Sequence, residues 1–161
     1  MFRIKAEYSE QIVLKTSIER AREFFDNLRN IADLMPNIEA IKSEAGGIMR
    51  WMVRAEVPML GSMRAVFPVE RTQEQQANRI EWSPAPTEKK NFLRYAAVFE
   101  EQGTKTLVRI VQHVEMRRQN ARELHMLAGL IGEGRISAEL QKHITAMIKT
   151  FLERARAKLE G

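Results

Sequence analysis

The sequence predicts an α+β fold: a curved antiparallel sheet of about seven strands wrapped around one long C-terminal helix, with two short helices after the first strand. Three observations predict it. Apolar and polar residues alternate with period two over most of the chain up to about Arg118, the signature of half-buried strands. The alternation is interrupted once, between Thr16 and Pro36, by apolar residues at helical spacing. The tail then keeps a single wide apolar stripe at helical spacing, through Ile136, Leu140, Ile144, Met147, Ile148, Phe151, Leu152, Ala155 and Leu159.

Taken in order, Phe2, Ile4, Ala6, Tyr8, Ile12 and Leu14 oppose Arg3, Lys5, Glu7 and Ser9, which makes Phe2 to Leu14 one long strand. The string TSIE offers Thr16 as an N-cap with Glu19 three residues on, a capping box. Ile18, Ala21, Phe24, Phe25 and Leu28 then bury one stripe of a helix, and a second helical turn through NIADLM stops at Pro36. Ile38 to Ala45 is the least regular strand, closed by the turn pair Gly46-Gly47. Met49, Trp51, Val53 and Ala55 share a face of the next, and VPMLGS breaks the run. Met63, Ala65, Phe67 and Val69 share a face of the fourth strand, which ends in a polar turn, QEQQAN. Ile80 and Trp82 face one way in a short strand ended by SPAP. Leu93, Tyr95, Ala97 and Phe99 oppose Arg94 and Glu100, and EEQGTK turns into the last strand. There Val108, Ile110, Gln112, Val114 and Met116 share a face, while Leu107, Arg109, Val111, His113 and Glu115 share the other.

Consecutive, hairpin-linked strands make the sheet antiparallel, and such a sheet can leave one face wet. Its apolar face needs a cover, which only the long helix is large enough to supply. The chain of 161 residues reads as a single domain, residues 1–161, with no internal repeat or linker. With Cys at 0 there is no disulfide framework and no thiolate chemistry. The charged start, MFRIKAEYSE, argues against a secretory signal, and no apolar run approaches a membrane span, so a cytoplasmic location is expected. The net charge of +5 comes from 26 basic and 21 acidic residues interspersed without a basic block, which makes nucleic acid an unfavoured partner.

Several local strings carry a resemblance. GGIMRWMV, RTQEQQANRIEWSP and YAAVFEEQGTKTLVRIVQHVE, together with the early TSIERAREFFDNLRNIADLMPNI, resemble the START-like, birch-pollen-allergen-like SRPBCC superfamily, and within it the bacterial polyketide cyclase/dehydrase group. The matching positions are Trp51, the Arg79-Ile80-x-Trp82 string, and Phe99, Glu100, Gly103 and Thr104 of the last hairpin. These are core and turn residues, so the resemblance speaks to fold, a helix-grip fold, and says little about substrate.

The resemblance implies an apolar pocket between sheet and helix, and ligand cavities are generally apolar with a few placed polar groups. Strand parity would line it with Trp51, Val53, Phe67, Trp82, Tyr95, Ala97, Phe99, Ile110, Gln112, Val114, Ile144, Met147 and Phe151, with Leu34 and Met35 near the mouth. Nine methionines suit an adaptable interior. His113 falls on the outward face, His125 in the connection before the long helix, and His143 on the border of the helix's apolar stripe. Catalytic residues are therefore unknown. No triad order, P-loop, HExxH or Cys/His spacing is present, so neither a metal nor a cofactor is expected.

This inventory favours recognition over turnover: binding or carriage of a small hydrophobic molecule of the lipid, isoprenoid/quinone or aromatic polyketide type. The alternatives are a cyclase/dehydratase-type enzyme using the same cavity, and anionic-lipid or nucleic-acid binding along the basic line Lys142, Lys149 and Arg156 on the helix flank. The apolar, glycine-bearing segment Leu124 to Gly134 suits a gate, or a transient membrane contact that collects the ligand. The oligomeric state cannot be read from the sequence.

Overall fold

A computed structural model describes residues 1–72 and 78–161; the polar turn expected at QEQQAN falls on residues 73–77, outside the described residues. The elements are β1 (Phe2–Leu14), α1 (Ile18–Asp26), α2 (Leu28–Leu34), β2 (Ile38–Ser43), β3 (Ile48–Val57), β4 (Gly61–Arg71), β5 (Arg79–Pro84), β6 (Asn91–Gln102), β7 (Lys105–Arg118), α3 (Ala128–Ile131) and α4 (Glu133–Glu160). All strands join one antiparallel seven-stranded sheet in the order β1-β7-β6-β5-β4-β3-β2. Strands β2 to β7 follow their chain order, as hairpins dictate, and β1 closes the series against β7.

The turns follow the local chemistry, with one correction. The N-cap of α1 is Ser17, whose hydroxyl accepts from the Arg20 N–H, so Thr16 and Glu19 do not form a capping box. Thr16 is held earlier, in the strand exit: its N–H bonds the Leu14 carbonyl and its own carbonyl accepts from the Thr106 hydroxyl. At the β2–β3 connection Gly46 and Gly47 take φ of 79° and 77°, a left-handed region open to glycine at little cost. The irregular alternation read in β2 corresponds to a register shift between Ile38 and Ala40.

β1 is an edge strand, and α4 covers that edge with side chains. Glu133 Oε1, Ser137 Oγ and Gln141 Oε1 accept from the backbone N–H groups of Arg3, Lys5 and Glu7, at 3.0, 3.1 and 2.9 Å. The two periods nearly match: four helical residues rise about 6 Å and two strand residues about 6.6 Å. Further along, Glu160 accepts from Lys15 N–H and Arg156 donates to the Val13 carbonyl. The helix thus runs along β1, its start beside Arg3 and its end beside Lys15.

The inner face of the sheet, the buried stripe of α4 and the buried residues Ala21, Phe25 and Ile31 of α1 and α2 form one continuous core. Between β7 and α4 the apolar connector makes a 3-10 turn at Ala121–Glu123 and then α3, leaving Met126 and Leu130 78% and 87% exposed.

Candidate functional site

The interior between sheet and helix has two unlike halves. In the half near the end of α4, Phe25 of α1 inserts its ring edge-on to Phe151 and tilted against Phe99, with centroids 5.9 Å apart in both pairs. Trp51 and Tyr95 stack beside them at 5.8 Å. All five aromatic side chains are buried, as are Ala97 and Ile110. This half is solid.

The other half is hollow. A cavity is walled by β3 and β4 (Val53, Ala55, Val57, Met63, Ala65, Phe67), by β1, β6 and β7 (Ile4, Leu93, Gln112, Val114, Met116), and by the first half of α4 (Ile136, Leu140, Ile144, Met147). Arg64 and His143 stand with them. Its free volume for the centre of a water-sized sphere is about 50 Å³, against the roughly 10–15 Å³ needed to hold one water. Both the β3–β4 hairpin and the first half of α4 border it. Met59 at the hairpin turn, 64% exposed with φ 74°, and Met126, Leu127 and Leu130 just before α4 leave apolar side chains at the surface at this end of the sheet.

Of the expected lining, Val53, Phe67, Gln112, Val114, Ile144 and Met147 meet around the cavity. Trp51, Tyr95, Ala97, Phe99, Ile110 and Phe151 face inward but pack in the solid half, because Phe25 fills the space they would have lined. Trp82 is buried beneath the Arg71 guanidinium, 5.8 Å away. Leu34 and Met35 are not at the mouth: Met35 is buried, and the Leu34 carbonyl accepts from Arg154, near the far end of α4. His143, read as a flanking residue, is at the rim. Its Nε2 lies 3.1 Å from the Arg54 carbonyl, which can only accept, so Nε2 carries the proton. Its signal was there: His143 follows Leu140 by three and precedes Met147 by four, which is stripe spacing.

Gln112, 3% exposed, is the polar side chain that strand parity turned inward, and its Oε1 has no hydrogen-bond partner among the described residues. Directly opposite on β6, Tyr95 has its hydroxyl likewise unpaired. Burial, with a smaller contribution from the Asp26 carboxylate, pushes the Tyr95 phenol far above the ordinary tyrosine range. It can donate a hydrogen bond but will not exchange protons near neutral pH. On the outer face His113 Nδ1 pairs with Glu7 at 2.9 Å, and in the connector His125 Nδ1 accepts from the Leu127 N–H at 3.0 Å. Neither reaches the cavity. Of the basic line on α4, Lys142 pairs with Glu139 at 3.3 Å and Arg156 with Glu160 at 3.6 Å. Among the described residues no cluster of His, Asp or Glu is arranged to hold a metal, and no helix is long and apolar enough to cross a membrane.

No protein-family model and no curated protein matches the sequence. Solved structures do. The chain superposes on a START superfamily protein from Mycobacterium smegmatis with TM-score 0.63 at 12% identity, covering 96% of this chain and 97% of that one. The likeness is one of fold: this chain has the helix-grip fold of that protein. The Zhui aromatase/cyclase from Streptomyces sp. R1128 shares it at TM-score 0.57 and 11% identity, over 96% of this chain and 91% of that one. The di-domain aromatase/cyclase BexL from the BE-7585A biosynthetic pathway gives 0.66 at 12% identity, over 98% of this chain, which spans 51% of that protein. At such identities the helix-grip likeness speaks to fold; what the cavity does is argued from its own residues.

Proposed function

We propose that the protein binds or carries a small hydrophobic molecule, of the lipid, isoprenoid/quinone or aromatic polyketide type, in the hollow half between β3–β4 and α4. The observation that carries this reading is the cavity itself: an almost wholly apolar wall with a single buried polar side chain, opening to solvent. At its present volume it admits a few waters or a small organic group, so a larger guest requires its walls to give. Met63, Met116 and Met147 supply that give, since unbranched thioethers change rotamer at low cost. The exposed Met126, Leu127 and Leu130 beside the first turns of α4 support loading during transient contact with a lipid surface.

The test is organic extraction of the purified protein followed by mass spectrometry, with titration of apolar aromatic and isoprenoid probes against Trp51 fluorescence. A stoichiometric extracted ligand, or saturable quenching that Ala65→Phe abolishes, is expected. Quenching that never saturates, with nothing extracted, would overturn the reading. A cyclase/dehydratase-type enzyme is the second reading, and the His143 imidazole at the rim is what favours it. It predicts that His143→Gln removes turnover while leaving probe binding intact.

A further inference from the structure

Three buried polar atoms gather where the hollow half meets the solid half: Gln112 Oε1, Tyr95 OH and Trp51 Nε1, none with a hydrogen-bond partner among the described residues. Tyr95 and Gln112 are opposed on neighbouring strands, and the Trp51 ring lies 5.8 Å from that of Tyr95. Of the three residues only Gln112 lines the cavity, in company with Phe67, Val53 and Met147. A buried polar atom left unpaired is costly, and an apolar side chain of the same shape would cost nothing in its place. The set offers one amide, an acceptor and a donor, at the cavity wall and two further donors behind it.

We propose that the guest is a neutral, mainly apolar molecule carrying a hydroxyl, seated hydroxyl first, with that group hydrogen-bonded to the Gln112 side-chain amide. This rests on the reading of the cavity as a ligand site and narrows its guest. A hydrocarbon would leave all three atoms unpaired. A ketone or quinone carbonyl only accepts, so it can take a bond from the Gln112 amide nitrogen but leaves Oε1 unpaired, whereas a hydroxyl can serve either atom. A carboxylate would need a cation inside, yet the basic groups at the cavity stand at its rim, where Arg64 is ion-paired with Glu39 at 3.0 Å and His143 is bonded to the Arg54 carbonyl. An amine would be buried as an ammonium with no carboxylate among the lining residues.

The experiment compares p-cresol, toluene and p-toluate by calorimetric titration of the wild-type chain, Gln112→Leu and Tyr95→Phe. Wild type is expected to prefer p-cresol over toluene by at least about tenfold and to bind p-toluate not measurably. Gln112→Leu should remove most of that preference while leaving toluene affinity within about twofold, and Tyr95→Phe, behind the cavity wall, should leave most of it in place. Equal binding of p-cresol and toluene, or a preference that survives Gln112→Leu, overturns the hydroxyl assignment and leaves the cavity reading standing. If none of the three probes binds the wild type, the cavity reading itself falls. Should Gln112→Leu not fold, Gln112→Met makes the same comparison.

Discussion

The two halves of the helix-grip interior are built from the same strands and the same helix, yet one is filled and the other is not. The filled half is closed by a side chain from outside the strand-and-helix pattern, Phe25 of α1, wedged between Phe99 and Phe151. The hollow half is walled mainly by aliphatic and methionine side chains, with Phe67 as its one aromatic ring among the described residues. A curved sheet gripping a helix therefore leaves space by default, and whether that space is a core or a cavity depends on what a third element inserts.

The comparison can be broken most forcefully at the wedge. Phe25→Ala should cost about 3–5 kcal/mol in urea unfolding and extend the cavity into the aromatic half; a loss well under about 1 kcal/mol would show that Phe25 fills nothing. Next in size is a matched pair of enlargements. Ala97→Leu in the solid half should cost about 1–3 kcal/mol. Ala65→Leu in the hollow half should cost under about 1 kcal/mol, because the added carbons enter empty space, and it should weaken probe binding. Equal costs would mean the halves are packed alike. At the boundary, Gln112→Leu should raise the stability of the ligand-free protein by about 1 kcal/mol or more, since it removes an unpaired buried amide. A lowered melting temperature would mean the amide is served inside the protein.

The smallest effect belongs to the solvent face, as a control that touches neither half. Burial pushes the Glu81 carboxyl up, but the Arg79 hydrogen bond, with the charges of Arg79 and Arg94, outweighs it and holds the group below the usual range. Its contribution is present above the unfolded value of about 4.3 and is lost as pH falls through the lower folded value. Glu81→Gln should slightly flatten the acid limb of stability against pH and leave ligand affinity unchanged. A changed affinity would mean the outer face is coupled to the cavity.

Faces were legible in the sequence and filling was not. Period two places Trp51, Tyr95 and Gln112 inward and His113 outward, and the burial of each agrees. The helix-grip order of elements followed from hairpin signals and one long stripe. What parity cannot report is how far across the gap a side chain finds a partner. Phe25 reads as one more apolar residue on a short amphipathic helix, and nothing local says that it reaches Phe151, far along the chain. Leu34 and Met35 were misplaced for the same reason: the end of α2 docks against the far half of α4 through a carbonyl bonded to Arg154.

The bonding of α4 along β1 also decides how this molecule can breathe. Glu133, Ser137, Gln141, Arg156 and Glu160 rivet the helix to one jamb of the opening, backbone atom by backbone atom. Toward β3 the described residues show one corresponding hydrogen bond, between His143 and the Arg54 carbonyl. Hydrogen exchange is therefore expected to be faster at the β3–β4 hairpin than along β1, and to slow at that hairpin when the cavity is occupied.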